Sequence, residues 1–74
     1  MSVTLVPIGM LKKYAGGQER VEMAPGPTVA EMLKEVGIPP ELVAGVIREG
    51  KLVAETYRPQ DGEIIKLLTI MGGG

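Results

Sequence analysis

One stretch of this chain reads as a helix, and firm breaks confine it on both sides. Thr28-Val29-Ala30-Glu31 fits a capping box, in which the threonine hydroxyl and the glutamate carboxylate take up backbone donors orphaned at a helix start. Val29, Met32, Leu33 and Val36 follow at the i, i+3, i+4, i+7 spacing of a single buried stripe. Gly37 supplies the stop, and Pro39-Pro40 prevents continuation. Upstream, Ala24-Pro25-Gly26-Pro27 ends whatever precedes it. The spacing predicts a helix over 28–36.

The rest of the chain reads as strands and turns. Val3 to Ile8 is β-branched and apolar, with Pro7 expected near the strand's end because it cannot donate to a ladder. Gly9 to Gln18 is read as a connection, closed by a turn at Gly16-Gly17. In Glu19-Arg20-Val21-Glu22-Met23, Val21 and Met23 share one face of a second strand. A third strand spans Val43 to Arg48, Glu49-Gly50 reverses it, and Lys51-Leu52-Val53 forms a short hairpin arm. Pro59-Gln60-Asp61-Gly62 is a further turn. The last strand, from Glu63 to Thr69, is apolar at both parities: Ile65 and Leu67 on one face, Ile64, Leu68 and Ile70 on the other. One helix covers one face, so the second apolar face points to a partner.

The order β-β-α-β-β-β, with the helix on one face of a mixed sheet, is α+β and matches a β-grasp of four to five strands. First and last strands can pair only in parallel, through the crossover that contains the helix. With 74 residues and neither Cys nor His, no disulfide or usual metal staple is available, and packed Val, Ile, Leu and Met have to hold the fold. The five methionines are read as core filler.

The missing residue types also remove function classes. There is no thiol nucleophile, no near-neutral base and no usual zinc site. Eight basic and nine acidic residues leave a net charge of −1, so nothing draws the chain to nucleic acid or an anionic membrane. Met1-Ser2-Val3-Thr4-Leu5 lacks the basic n-region of a signal peptide, and a cytoplasmic, single-domain protein is expected. Neither a GxxxxGK[ST] phosphate loop nor a GxGxxG fingerprint is present. Glu31, Glu35 and Glu41 read as solvated surface. Lys12-Lys13 and Arg48 with Lys51 are small basic clusters accompanied by only two aromatics, Tyr14 and Tyr57, a poor nucleic-acid platform.

What remains is the sequence Ile70-Met71-Gly72-Gly73-Gly74, leaving directly from a strand with an unmatched apolar face. A terminal carboxylate is unreactive until its oxygen becomes a leaving group, which adenylation by ATP accomplishes. Glycines lack Cβ and let the backbone pass through a narrow channel into another protein's active site. Docking the globular body raises the tail's effective concentration there. Such a molecule needs no catalytic side chain of its own.

In these features the chain resembles the ubiquitin-like sulfur-carrier family of the MoaD and ThiS type. The resemblance runs over essentially the whole chain: Val3-Thr4-Leu5-Val6, the helix Thr28 to Leu33, the hairpin Val46-Ile47-Arg48-Glu49-Gly50-Lys51-Leu52-Val53, Asp61-Gly62-Glu63-Ile64-Ile65 and the final glycines. The long first connection with Leu11-Lys12-Lys13 is more similar to MoaD, the small subunit of molybdopterin synthase.

The resemblance implies a non-enzymatic carrier, with residues 1–71 as the β-grasp domain and 72–74 as a flexible tail. Gly74 would bear the adenylate and then the thiocarboxylate, and Gly72 and Gly73 would complete the tail. Lys66, Leu68, Ile70 and Met71 are expected on the docking face. The implied partners are a ubiquitin-activating-type adenylyltransferase that uses ATP in trans, a persulfide sulfur donor and a larger synthase subunit; no cofactor and no metal would be bound. Rival readings are a modifier joined to lysines, a thiamine-type or tRNA-thiolation carrier, and an inert interaction module. Three departures from the family pattern stand out: a third terminal glycine, Glu49-Gly50 where Asn-Gly would better suit a tight I′ turn, and Pro59 where an aliphatic residue is usual.

Overall fold

The structure is a computed structural model and describes residues 1–69 of the 74. Expectations placed on Ile70, Met71, Gly72, Gly73 and Gly74 lie outside the described residues.

Five strands form one mixed sheet: β1 (Val3–Pro7), β2 (Val21–Met23), β3 (Val43–Arg48), β4 (Lys51–Val53) and β5 (Ile64–Thr69). Their spatial order is β2-β1-β5-β3-β4, so the last strand in the chain is the middle strand of the sheet. β1 and β5 are parallel, with Leu5 opposite Ile65 and Pro7 opposite Leu67. β2 and β3 flank them antiparallel, and β4 closes the hairpin with β3. Pro7 ends β1 beyond the residues paired with β2, so its missing N–H breaks no ladder bond there. The next donor, Ile8 N–H, bonds the Leu67 carbonyl at 3.0 Å.

The helix α1 (Val29–Val36) forms as its sequence predicts. Glu31 N–H donates to Thr28 Oγ1 at 3.1 Å while Thr28 N–H donates to Glu31 Oε1 at 2.8 Å. The bond from Thr28 N–H is also the main reason the Glu31 carboxyl lies below its ordinary pKa. Gly37 adopts the left-handed conformation (φ 97°), and its N–H returns to the Leu33 carbonyl. Of the predicted stripe, Val29, Met32 and Leu33 are fully buried and Val36 is half-buried. They join Val3, Leu5, Val46, Ile65 and Leu67 in one core.

Several elements were less legible. The connection expected from Gly9 to Gln18 contains a 3-10 segment, Gly9–Ala15, that buries Leu11 and Ala15 and packs against β1 and β5. The covered face of the sheet is therefore roofed by two segments, α1 and this one. The second strand begins at Val21 and not at Glu19. Pro40–Leu42 makes a short 3-10 turn, and Ile38 beside it is buried. The methionines divide: Met32 is buried, Met10 and Met23 are half-buried, Met1 is exposed, and Met71 lies outside the described residues. Core filler holds fully for Met32 alone. Pro59 is buried, so it fills the interior position an aliphatic residue would take.

The chain reverses at Glu49-Gly50 as the sequence predicts, and it does so through the tight turn that glutamate suits poorly. Both residues have positive φ, 51° and 78°, and Arg48 pairs directly with Lys51 across them. The right-handed twist of the two strands demands this primed turn, and the hairpin imposes it on a glutamate that disfavours it. A non-glycine residue held there costs about 1 kcal/mol or more. Replacing Glu49 with Asn is expected to stabilise the domain by roughly 0.5–1 kcal/mol, read from the urea midpoint at unchanged m-value.

Candidate functional site

Side chains alternate across a strand, so burial of Ile65 and Leu67 directs Ile64, Lys66 and Leu68 to the opposite face of β5. The register assembles their neighbours. Lys66 stands between Val6 of β1 and Ile47 of β3, and Leu52 of β4 lies beyond Ile47. Ile64 is 48% exposed and Leu52 72% exposed, while Val6, Ile47 and Leu68 are half-buried. The result is an open apolar sheet face with one ammonium group at its centre. The structure thus brings together two of the residues expected for docking, Lys66 and Leu68. It adds Val6, Ile47 and Leu52, which the sequence reading had not joined to them, and keeps Ile64 on the face where the strand pattern had placed it with Leu68. The period-2 pattern of β5 was visible, but register across strands was not.

Gly45 shapes one border of this face. Its φ is not positive, so the turn rules do not explain it. A Cβ built at Gly45 would lie 3.0 Å from Leu52 Cδ2 and 3.6 Å from Leu68 Cδ1. The glycine is a notch across which Leu52 reaches toward Leu68, joining the hairpin arm to the central strand.

A groove of about 500 Å3 opens at the end of the sheet remote from Thr69, lined among others by Ile47, Arg48, Gly50, Gly62, Glu63 and Lys66. Its charged wall is a structural knot. Glu63 accepts from Arg48 Nε, from Tyr57 Oη at 2.5 Å and from Gln60 N–H at 2.7 Å. The Tyr57 and Arg48 bonds, with the Gln60 backbone bond, lower the Glu63 carboxyl from 4.5 to about 2. Donating to Glu63 in turn raises the Tyr57 hydroxyl. The Arg48 guanidinium also lies 5.4 Å from the Tyr57 ring centroid. Arg48, read as part of a free basic cluster, is thus occupied.

This knot pins the 54–62 loop, and the loop finishes the helix. Val29 N–H donates to the Tyr57 carbonyl at 2.9 Å and Ala30 N–H to the Glu55 carbonyl at 3.0 Å. Arg58 ties the same loop to the Gly26 carbonyl at 2.6 Å. With Thr28 serving Glu31, the first-turn donors of α1 are spent, and no anion site is left there. The remaining sequence candidates stay on the surface: Lys12, Lys13, Glu35 and Glu41 are exposed, and Gly16 and Gly17 form a left-handed turn. Among the described residues no group of three or more acidic side chains could hold a metal, and no helix is long and apolar enough to cross a membrane.

Two outcomes follow from this geometry. Glu63 has a folded pKa depressed from 4.5 to about 2, so its contribution is present above pH 4.5 and drains away as the pH falls toward 2. At pH 7 the Glu63→Gln variant is expected to be less stable by about 2 kcal/mol, and chemical denaturation at stepped pH should show the gap closing across that window. Gly45→Ala should change stability by no more than about 0.5 kcal/mol, because the atom displaced is the end of an exposed leucine. Its readout is a set of methyl chemical-shift changes confined to Leu52 and Leu68.

Comparison with known proteins adds the lineage. No curated protein matches the chain. Among solved structures it is similar to SAMP1 from Haloferax volcanii, whose crystal structure superposes with a TM-score of 0.70 at 22% identity over 100% of both chains. That likeness shows the shared β-grasp fold. The model of the ThiS family matches residues 8–74, from the end of β1 through the final glycines. That match spans most of the chain and includes the glycines at 72–74, so the chain belongs to the ThiS family of small ubiquitin-like proteins.

Proposed function

We propose that this protein carries sulfur as a thiocarboxylate on Gly74 and delivers it to a pterin precursor in molybdopterin or tungstopterin formation. The observation that carries the proposal is the position of β5. The strand that leads toward Gly72-Gly73-Gly74 is the central strand, and its outward face is apolar and open. A body docked through that face positions whatever follows Thr69 beside the docking partner. The chemistry then belongs to the partner, which suits a chain without Cys or His.

Carriers of this family work with activating enzymes and with partners that receive their cargo. In the proposed sequence the Gly74 carboxylate attacks the α-phosphate of ATP and pyrophosphate leaves. A persulfide sulfur then displaces AMP from the acyl carbon. A thiol breaks the resulting S–S bond, becoming a disulfide and leaving the thiocarboxylate. Adenylation is the step that makes sulfur attack possible, because it converts a carboxylate oxygen into part of a leaving group. Ile70 and Met71 extend the docking face toward the reacting end in this reading. The long first connection, more similar to the MoaD type, is what favours the molybdopterin-type assignment over a thiamine-type one.

Intact mass of the protein isolated from its native host tests the proposal. One oxygen-to-sulfur exchange located at Gly74 is expected. Glycine remnants on lysines of other proteins would instead assign a modifier role, and neither signal would leave an inert module. Deleting Gly73-Gly74 should abolish the exchange while the melting temperature stays where it was, since end residues add little burial.

A further inference from the structure

Lys66 is the one charged side chain in the middle of the outer sheet face, and its neighbours on all four sides are apolar. Val6 and Ile47 flank it across the strands, and Ile64 and Leu68 lie two positions away along β5. Among the described residues nothing bonds its ammonium group. The acidic groups nearest to it in the groove are all engaged elsewhere. Glu63 holds Arg48, Tyr57 and Gln60; Asp61 accepts from Ser2 N–H at 2.7 Å; Glu49 lies 3.8 Å from Arg48. Glu22, on the same face but at the β2 edge, meets the Ser2 hydroxyl.

An apolar surface covering this face would strip water from Lys66 and leave a buried cation with no partner, at a cost that would oppose docking. The surface that fits has a carboxylate where it meets Lys66 and apolar groups around it. Building on the carrier reading, we infer that the occupant of this face is the adenylyltransferase, and that it presents an acidic side chain, ringed by apolar ones, to Lys66. Leu52, reaching across the Gly45 notch, extends the apolar ring on the hairpin side. Lys66 thereby sets specificity: a surface of equal hydrophobicity but without the carboxylate is rejected.

The alternative role for such a lysine is to keep an exposed apolar face from sticking to itself, and one variant separates the two. Lys66→Met keeps the length of the side chain, removes the charge and lies at an exposed position, so the fold is retained, as a melting curve verifies. ATP–pyrophosphate exchange by the adenylyltransferase of the native host, with the full 74-residue chain as co-substrate, is the readout.

The inference expects Lys66→Met to raise the KM for the carrier roughly thirtyfold or more at unchanged kcat, because the partner's carboxylate is left buried and unpaired. Lys66→Arg should stay near the native value, and Lys66→Glu should be at least as poor as the Met variant. A KM for Lys66→Met that falls, or rises by less than about threefold, overturns the inference while leaving the carrier reading intact, since an exposed charge is worth no more than that. Self-association of the native chain through this face, seen by light scattering and abolished in Lys66→Glu, overturns it in favour of a second copy. If the native chain supports no exchange at all, the carrier reading itself fails.

Discussion

The parallel pair of β1 and β5 is the constraint on which the rest of this structure depends. Their residues are separated by nearly the whole chain, and parallel neighbours can be joined only by a long crossover. That crossover holds α1, which is why the helix lies across the sheet and covers its inner face. Leu5 beside Ile65 and Pro7 beside Leu67 place the most deeply buried side chains at this seam. A chain with no cysteine and no histidine has no staple to substitute for it. Its stability therefore rests on apolar contacts between residues distant in sequence, each of which had to be brought together against chain entropy.

The loop before β5 completes this arrangement. It passes over the start of α1, and its carbonyls take the Val29 and Ala30 N–H groups that the capping box leaves over. Glu63 fastens the loop's far end through Arg48, Tyr57 and Gln60, so a residue next to the central strand also fixes the helix start. Helix, loop and last strand are thus coupled through backbone donors that need partners once buried. Local sequence set the Thr28–Glu31 cap; tertiary structure supplied the two carbonyls beside it.

A five-stranded sheet roofed on one side has a bare side, and here the bare side is apolar around a single lysine. β5 is buried through Ile65 and Leu67 and exposed through Ile64, Lys66 and Leu68, so one strand serves both the core and the surface. The same strand leads toward the glycines that the ThiS family model includes in its match. A carrier asks for this division of labour. In the proposed function the body is what a partner recognises, and the reactive apparatus resides in that partner.

The sequence by itself determined the elements whose signals are local. The α1 boundaries, the Gly37 stop, the β3 and β4 limits and the inward parity of Ile65 and Leu67 follow from caps, periodicity and turn residues that act over a few positions. The 3-10 segment at Gly9–Ala15 escaped because its signal is only Leu11 and Ala15 on one side, and their burial requires β1 and β5 to be already paired. The primed turn at Glu49-Gly50 was decided by the twist of β3 and β4, which outweighs the local preference of glutamate. The outer face was half legible: Lys66 and Leu68 could be read from β5, whereas Val6, Ile47 and Leu52 joined them only through register. Register depends on which strands become neighbours, a property of the whole chain, and so the grouping of residues on the outer face was settled by tertiary structure.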